Sequence, residues 1–429
     1  MNPEHAFYDV APRLVPADRE TSVTIRPLYD HVRLDPQISY RVSCHPTDAA
    51  ADSHIWPHPT QYTLQPTDGT LVVRHRFVGE QEYVLLVEAL AEPMKKVGEF
   101  RVYALQPDLF ARLPLKGDVH MHSNKSDGRE APAYVAGACR REGLDFMAVT
   151  DHRLYAPSLE AQHAWQDLPL GLRIYPGEEV HPPENPVHII NFGGSFSVNA
   201  RFAEPAYRDQ VQALIKRIGP VPANVDPYAF ASCCWCHDQI RAGGGLGVLC
   251  HPYWFTNQYY NVSVALSDHL FAAQPWDAYE VIGGYFLHQV ESNTLQVARY
   301  HDLRAQGRRV PIVGVSDAHG CERGELFGWY YTIAFSLSAD LPDLVDSIKA
   351  LYSVAVEALP GQPVRAYGPF RLVKYAQFLL RELFPAHDTL CRTEGQLMLR
   401  ALAGDATAAQ TLAPLAGQTA DYWAHQRAF

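Results

Sequence analysis

Between about residue 115 and residue 345 the chain alternates short apolar runs with longer amphipathic stretches. Nearly every run is followed at once by His, Asp or Glu. This rhythm constrains the fold more than any other feature. Repeated β-α units require a largely parallel sheet. Polar residues at successive strand ends require those ends to meet, as they do at the C-terminal mouth of a (β/α) barrel. The pattern predicts strands at Lys116–His120, Phe146–Thr150, Leu172–Pro176, Val187–Phe192, Leu246–Cys250, Ala278–Ile282 and Pro311–Val315. Helices fit at Pro132–Glu142, Tyr207–Ile218 and Glu291–Gln306. The stretch 193–245 is too long for a single β-α connection and reads as an insertion near the mouth, a candidate lid.

The residues at these strand ends carry one kind of chemistry. His120 and His122 stand at alternate positions and leave one face of an extended chain, and Asp317 with His319 repeat the spacing. Between them come Asp127, the pair Asp151-His152, the pair Glu178-Glu179, then His188 and His251. Imidazole and carboxylate together suit manganese, iron or zinc, and thiolates are missing from the set, which argues against a structural zinc site. One such residue alone is ordinary surface polarity, but a whole series at matching places points to a metal centre.

The flanks differ. Residues 1–112 show short alternating segments, at Ser22–Pro27, Ile38–Val42, Thr70–Phe77, Glu82–Glu88 and Gly98–Leu105, with a hairpin cue at Asp68-Gly69. A small immunoglobulin-like β-sandwich is the economical reading. The barrel is expected over 113–345 and a helical extension over 346–429, with helices at Pro342–Tyr352, Phe370–Phe384 and through much of Glu394–Ala424. That extension would cover the barrel or form a subunit contact, so a homo-oligomer stays open. Hydrophobic residues make up 47% of the 429-residue chain and charged ones 19%, the balance of a globular protein. The net charge of −11 argues against nucleic acid as the main partner. Neither a membrane-length apolar run nor a secretory signal is evident, and eight irregularly spaced cysteines do not form a disulfide framework, so a reducing cytoplasm is expected.

The motifs Asp118-Val119-His120-Met121-His122-Ser123, Ser126-Asp127-Gly128, Thr150-Asp151-His152, Gly177-Glu178-Glu179-Val180, His251-Pro252 and Ser316-Asp317-Ala318-His319 resemble those of the PHP (polymerase and histidinol phosphatase) family, in the same order. The resemblance implies a distorted seven-stranded (β/α) barrel with two to three divalent ions, Mn, Fe or Zn. It implies that His120, His122, Glu179 and Asp317 hold the first. Glu179 then bridges to a second, completed by His188 and His251, while Asp127, His152 and His319 hold a third. Asp151 is implied to orient a histidine ligand from behind. The β-rich segment upstream of the barrel also resembles a PHP subgroup that includes carbaryl hydrolases.

The activity implied is hydrolysis of a small phosphate mono- or diester by water that the ions ionise. Hydrolysis of a carboxylic or carbamate ester is the alternative, and a non-catalytic PHP module or an exonuclease ranks lower. Asp317 and His319 are the candidates for proton transfer. Lys125, Arg153, Tyr253 and the neighbouring Trp254 are the candidates for substrate contact. Two other motifs read as structure. Cys233-Cys234-Trp235-Cys236-His237 lacks zinc-knuckle spacing and suits an inserted helix with buried thiols, and Gly243–Gly247 lacks the lysine of a phosphate loop. His288 and His301 read as surface residues.

Overall fold

The computed structural model describes residues 6–48, 59–322 and 325–428, which divide into two compact units. The first comprises residues up to 113 together with 374–387 and 418–429; the second comprises 114–373 and 388–417.

The first unit contains β1 (Tyr8–Ala11), β2 (Leu14–Pro16), β3 (Glu20–Pro27), β4 (Tyr40–Pro46), β5 (Thr60–Leu64), β6 (Leu71–Arg76), β7 (Gln81–Ala89) and β8 (Lys95–Leu105). They form a three-stranded sheet, β1-β3-β6, and a five-stranded sheet, β2-β8-β7-β4-β5. Alternate residues of both sheets, among them Val23, Ile25, Leu71, Val73, Val42, Leu85, Val87 and Phe100, enter one apolar core. Strict alternation in β6 and β7 is what one buried face requires. The Asp68-Gly69 turn exists, with both residues at positive φ, but it does not close a hairpin ladder. Only Thr67 and Thr70 bridge across it, and β5 and β6 then pair in different sheets.

The second unit adds β9 (Leu113–Asp118), β10 (Phe146–Met147), β11 (Arg173–Ile174), β12 (Gly177–Val180), β13 (Ile189–Phe192), β14 (Leu246–Leu249), β15 (Phe255–Thr256), β16 (Tyr259–Tyr260), β17 (Ala278–Gly283), β18 (Ile312–Val315), β19 (Tyr330–Ser336), β20 (Ser353–Glu357) and β21 (Arg365–Tyr367). A six-stranded sheet runs β11-β10-β9-β19-β20-β21, and a five-stranded one runs β12-β13-β14-β17-β18. Two isolated parallel bridges, Met121 with Ala318 and His152 with Glu179, tie the sheets at their polar ends. Parallel pairing holds for β9-β10-β11 and for β14-β17-β18. The β-α expectation fails at β13, which is antiparallel to both neighbours. The segment between β12 and β13 is too short for a crossover helix, so the chain must reverse.

The stretch 193–245 carries three helices, Val198–Arg201, Ala206–Ile218 and Pro227–Ala242. The last takes up the Cys-rich segment: Cys233, Cys236 and His237 are buried in it, and burial pushes the Cys233 thiol up to about 12. The C-terminal region is helical at Leu341–Lys349, Phe370–Glu382, Phe384–Leu402, Ala406–Leu412 and Gln418–His425, with β20 and β21 interposed. No helix among the described residues is long and apolar enough to cross a membrane.

Candidate metal centre

β9 ends at Asp118, but its direction continues through His120 and His122, held by the segment that follows β18. The Asp317 amide donates to the His120 carbonyl at 2.8 Å, and the His122 amide donates to Ala318 at 2.9 Å. Asp118 secures this junction by accepting from the amides of Ser316 and His120 at 3.2 and 3.1 Å. Burial pushes its carboxyl up to about 7 despite those hydrogen bonds. Two stretches distant in sequence are thereby fixed side by side with their His and Asp side chains on one face.

Carboxylates organise the cluster. Asp317 Oδ1 lies 2.8 Å from His122 Nε2 and 3.1 Å from His120 Nε2. Glu179 Oε1 lies 2.8 Å from His188 Nδ1 and 3.2 Å from His251 Nε2. Its Oε2 faces His152 Nδ1 closely and stands 3.3 Å from His181 Nε2. Asp127 reaches His152 Nε2 at 3.3 Å and His319 Nε2 at 3.4 Å. His120, His122 and Glu179 have no side-chain exposure.

These contacts satisfy only some of the polar atoms in the cluster. His120 Nε2, His122 Nδ1, His188 Nδ1 and Glu179 Oε2 are buried without a hydrogen-bond partner. An orphaned polar atom in an interior costs about 1–3 kcal/mol, and buried groups are nearly always paired. Several orphans in one spot, all good cation ligands, fit a metal. Three overlapping groups have their ligand atoms within 4.8 Å of one another: His122-Asp127-His152-His319, His120-His122-Glu179 and His152-Glu179-His181. Nitrogen and carboxylate donors in that mixture suit a divalent cation.

The electrostatics agree. Burial alone would raise the Glu179 carboxyl, but His188, His152 and His181 hold it well below the usual range. His120 and His122 do the same for Asp317 against its own burial. Burial drives His188 down to about 4 and lowers His122 and His181, whereas against their own burial the neighbouring carboxylates hold His120, His152 and His251 up. The backbone is also unusual here: His251, Asp317 and Arg153 have φ of 27°, 50° and 61°. Non-glycine residues in this region are uncommon and concentrate at functional positions.

Of the sequence-derived ligands, His120, His122, Asp127, His152, Glu179, His188, His251, Asp317 and His319 all come together. Glu179 faces the imidazoles. Glu178 points away and accepts from Asn191, Ser197 and Asn199 at 3.1, 2.7 and 2.9 Å, which saturates it. Asp151 does not orient a histidine. Alternation turns it away from His152, and it accepts from the Ser123 and Ser126 hydroxyls at 2.5 and 2.6 Å, pinning the loop that carries Asp127. The orienting contact falls instead to Glu280, whose Oε2 lies 3.3 Å from His120 Nδ1.

The substrate candidates scatter. Lys125 pairs with Glu160 at 2.9 Å on the surface. The exposed Arg153 donates its amide to the Glu179 carbonyl at 3.0 Å. Tyr253 is buried, its hydroxyl accepting from Arg299 at 2.8 Å. Trp254 faces the cluster, its ring 5.8 Å from His251 and 6.3 Å from His188. Sequence reasoning missed His181 and Glu280. The first had a signal, since it stands two residues after Glu179 and shares its face; the second is a lone charge inside an apolar strand.

No family model matches the chain. A 57-residue stretch is 40% identical to the DNA polymerase/3'-5' exonuclease PolX of Bacillus subtilis, covering 13% of this chain and 10% of that protein. A crystal structure of a two-domain protein from Bacteroides vulgatus, containing a predicted PHP-like metal-dependent phosphoesterase, is similar with a TM-score of 0.41 and 19% identity, over 58% of this chain and 66% of that one. A protein from Bifidobacterium adolescentis described as a metal-dependent phosphoesterase has a TM-score of 0.32 and 21% identity, over 49% and 89% of the two chains.

Proposed function

We propose that the chain is a PHP-type metal-dependent hydrolase that cleaves a small phosphate mono- or diester. The observation that carries this reading is a pair of carboxylates, buried Glu179 and half-buried Asp317, ringed by imidazoles and leaving His120 Nε2, His122 Nδ1, His188 Nδ1 and Glu179 Oε2 without hydrogen-bond partners. Two to three divalent cations bound there would supply the charge that ionises water and polarises an ester oxygen. His120, His122, Asp317 and Glu179 would hold one, and Glu179 with His188 and His251 a second. Asp127, His152 and His319 would hold a third.

The remaining work falls to residues at the rim. His319 keeps its Nδ1 2.8 Å from the Asp317 carbonyl, so its Nε2 is the atom left to hold a ligand or hand over a proton. Asp317, the other candidate, is ionised and would pass to the leaving group only a proton first taken from the attacking water. Trp254 offers an aromatic wall that would exclude water and accept an apolar ester group. That wall favours a second reading, hydrolysis of an aryl carboxylic or carbamate ester at the same centre.

We further read the strands tied by the two bridges as a closed ring, β9, β10, β12, β13, β14, β17 and β18, which is the distorted seven-stranded barrel. The two N-terminal sheets read as an immunoglobulin-like sandwich. The test is hydrolysis of p-nitrophenyl phosphate, bis-p-nitrophenyl phosphate, an aryl carbamate and single-stranded DNA, each with Mn²⁺ or Zn²⁺. Metal-dependent turnover of the phosphate esters supports the first reading, and turnover of the carbamate alone supports the second. Digestion of DNA alone would make the protein a nuclease.

A further inference from the structure

We propose that His181 is an additional metal ligand, sharing a cation with Glu179 Oε2 beside the His152 ring. This rests on the reading of the cluster as a cation site. His181 and Glu179 flank Val180, so their side chains leave the same face of the chain. His181 Nε2 stands 3.0 Å from His152 Nδ1 and 3.3 Å from Glu179 Oε2. Two donors each about 2.1 Å from one ion, at tetrahedral to octahedral angles, lie about 3.0–3.4 Å apart. Without a cation, either one proton must serve all three atoms or two N–H groups must face each other at 3.0 Å.

The ring is also held in place. It stacks on His188 with centroids 3.8 Å apart. The His181 amide donates to Asn199 Oδ1 at 3.1 Å, and Asn199 Nδ2 donates to Glu178 Oε2 and to the Glu179 carbonyl at 2.9 and 3.0 Å. Ser197 caps the helix Val198–Arg201 and donates to Glu178 as well. The start of the inserted segment is therefore bolted, through Glu178, to the backbone that presents Glu179 and His181. Its work in this account is to fix a ligand.

The test is a Zn²⁺ titration of chelator-treated full-length protein against a chromophoric competitor, without substrate, for wild type, H181A and H181Q. The exposed-surface variant H288A is the control. The expected result is that H181A and H181Q each weaken one class of Zn²⁺ sites by about tenfold or more while H288A does not. Isotherms identical to wild type would overturn the assignment of His181 alone. Absence of Zn²⁺ binding in wild type would overturn the hydrolase reading with it. Should the variants fail to fold, anomalous scattering at the zinc edge from wild-type crystals decides. A zinc peak within bonding distance of His181 Nε2 supports the proposal, and zinc elsewhere with His181 hydrogen-bonded to His152 contradicts it.

Discussion

The second unit buries charge in two ways. At Arg140, fully buried, the guanidinium donates to Glu394 at 2.6 Å, to Asp145 at 3.1 Å and to the Leu144 carbonyl at 3.0 Å, while Glu394 also accepts the Gly171 amide at 2.8 Å. Every member of that network is answered by another. Around Glu179, itself just as deeply buried, four nitrogen or oxygen atoms of the cluster have no hydrogen-bond partner. The first arrangement is complete as it stands and serves the fold. The second is left incomplete by the protein's own groups, and that difference separates scaffold from candidate site.

The comparison can be broken most decisively at Glu179. Glu179→Ala should lower turnover of the responsive ester by about a thousandfold, roughly 4 kcal/mol of transition-state stabilisation, and should lower metal content, both read on protein whose circular dichroism is unchanged. Near-wild-type kinetics would mean that the orphaned cluster is not the reacting site. Arg140→Met should do the opposite, costing about 3–5 kcal/mol of stability by stranding Glu394 and Asp145. The protein that remains folded should still bind metal. Denaturant unfolding measures the loss, and a cost under 1 kcal/mol would deny that the network serves the fold.

Metal removal should touch only the second kind of burial. A cation at a hundred times its dissociation constant stabilises the native state by about 2.7 kcal/mol, so chelation should lower Tm in wild type and much less in Glu179→Ala. Equal shifts in both would contradict the comparison.

The smallest effect concerns His237, buried in the inserted helix with neither ring nitrogen partnered. Burial lowers it from 6.5 to about 3. Its contribution is therefore fully present above the unfolded value and is lost as pH falls from 6.5 towards 3. The loss is on the order of 1–2 kcal/mol by pH 5. His237→Leu should flatten that acid limb in a series of Tm against pH, and an unchanged limb would refute the assignment.

Much of the site was legible because each ligand sits in a short motif at a strand end, where a polar residue after an apolar run needs a reason. His181 falls just outside the motif Gly177-Glu178-Glu179-Val180 that carries the resemblance, although it shares the face of Glu179. Glu280 was hidden because only the folded strand brings it against His120. Asp151 was assigned by analogy to a histidine, whereas the register of its own strand end sends it to Ser123 and Ser126. The reversal at β13 follows from its short link to β12, and the strand at Ser353–Glu357 from pairing with β19; strand periodicity encodes neither.

The central claim is that the imidazoles and carboxylates around Glu179 and Asp317 are incomplete without cations. Elemental analysis of gel-filtered protein, reconstituted in turn with Mn²⁺, Fe²⁺ and Zn²⁺, tests it most directly. The account predicts two to three equivalents of at least one of these metals per chain in wild type and fewer in Glu179→Ala. Metal at background level in wild type under all three conditions would contradict it.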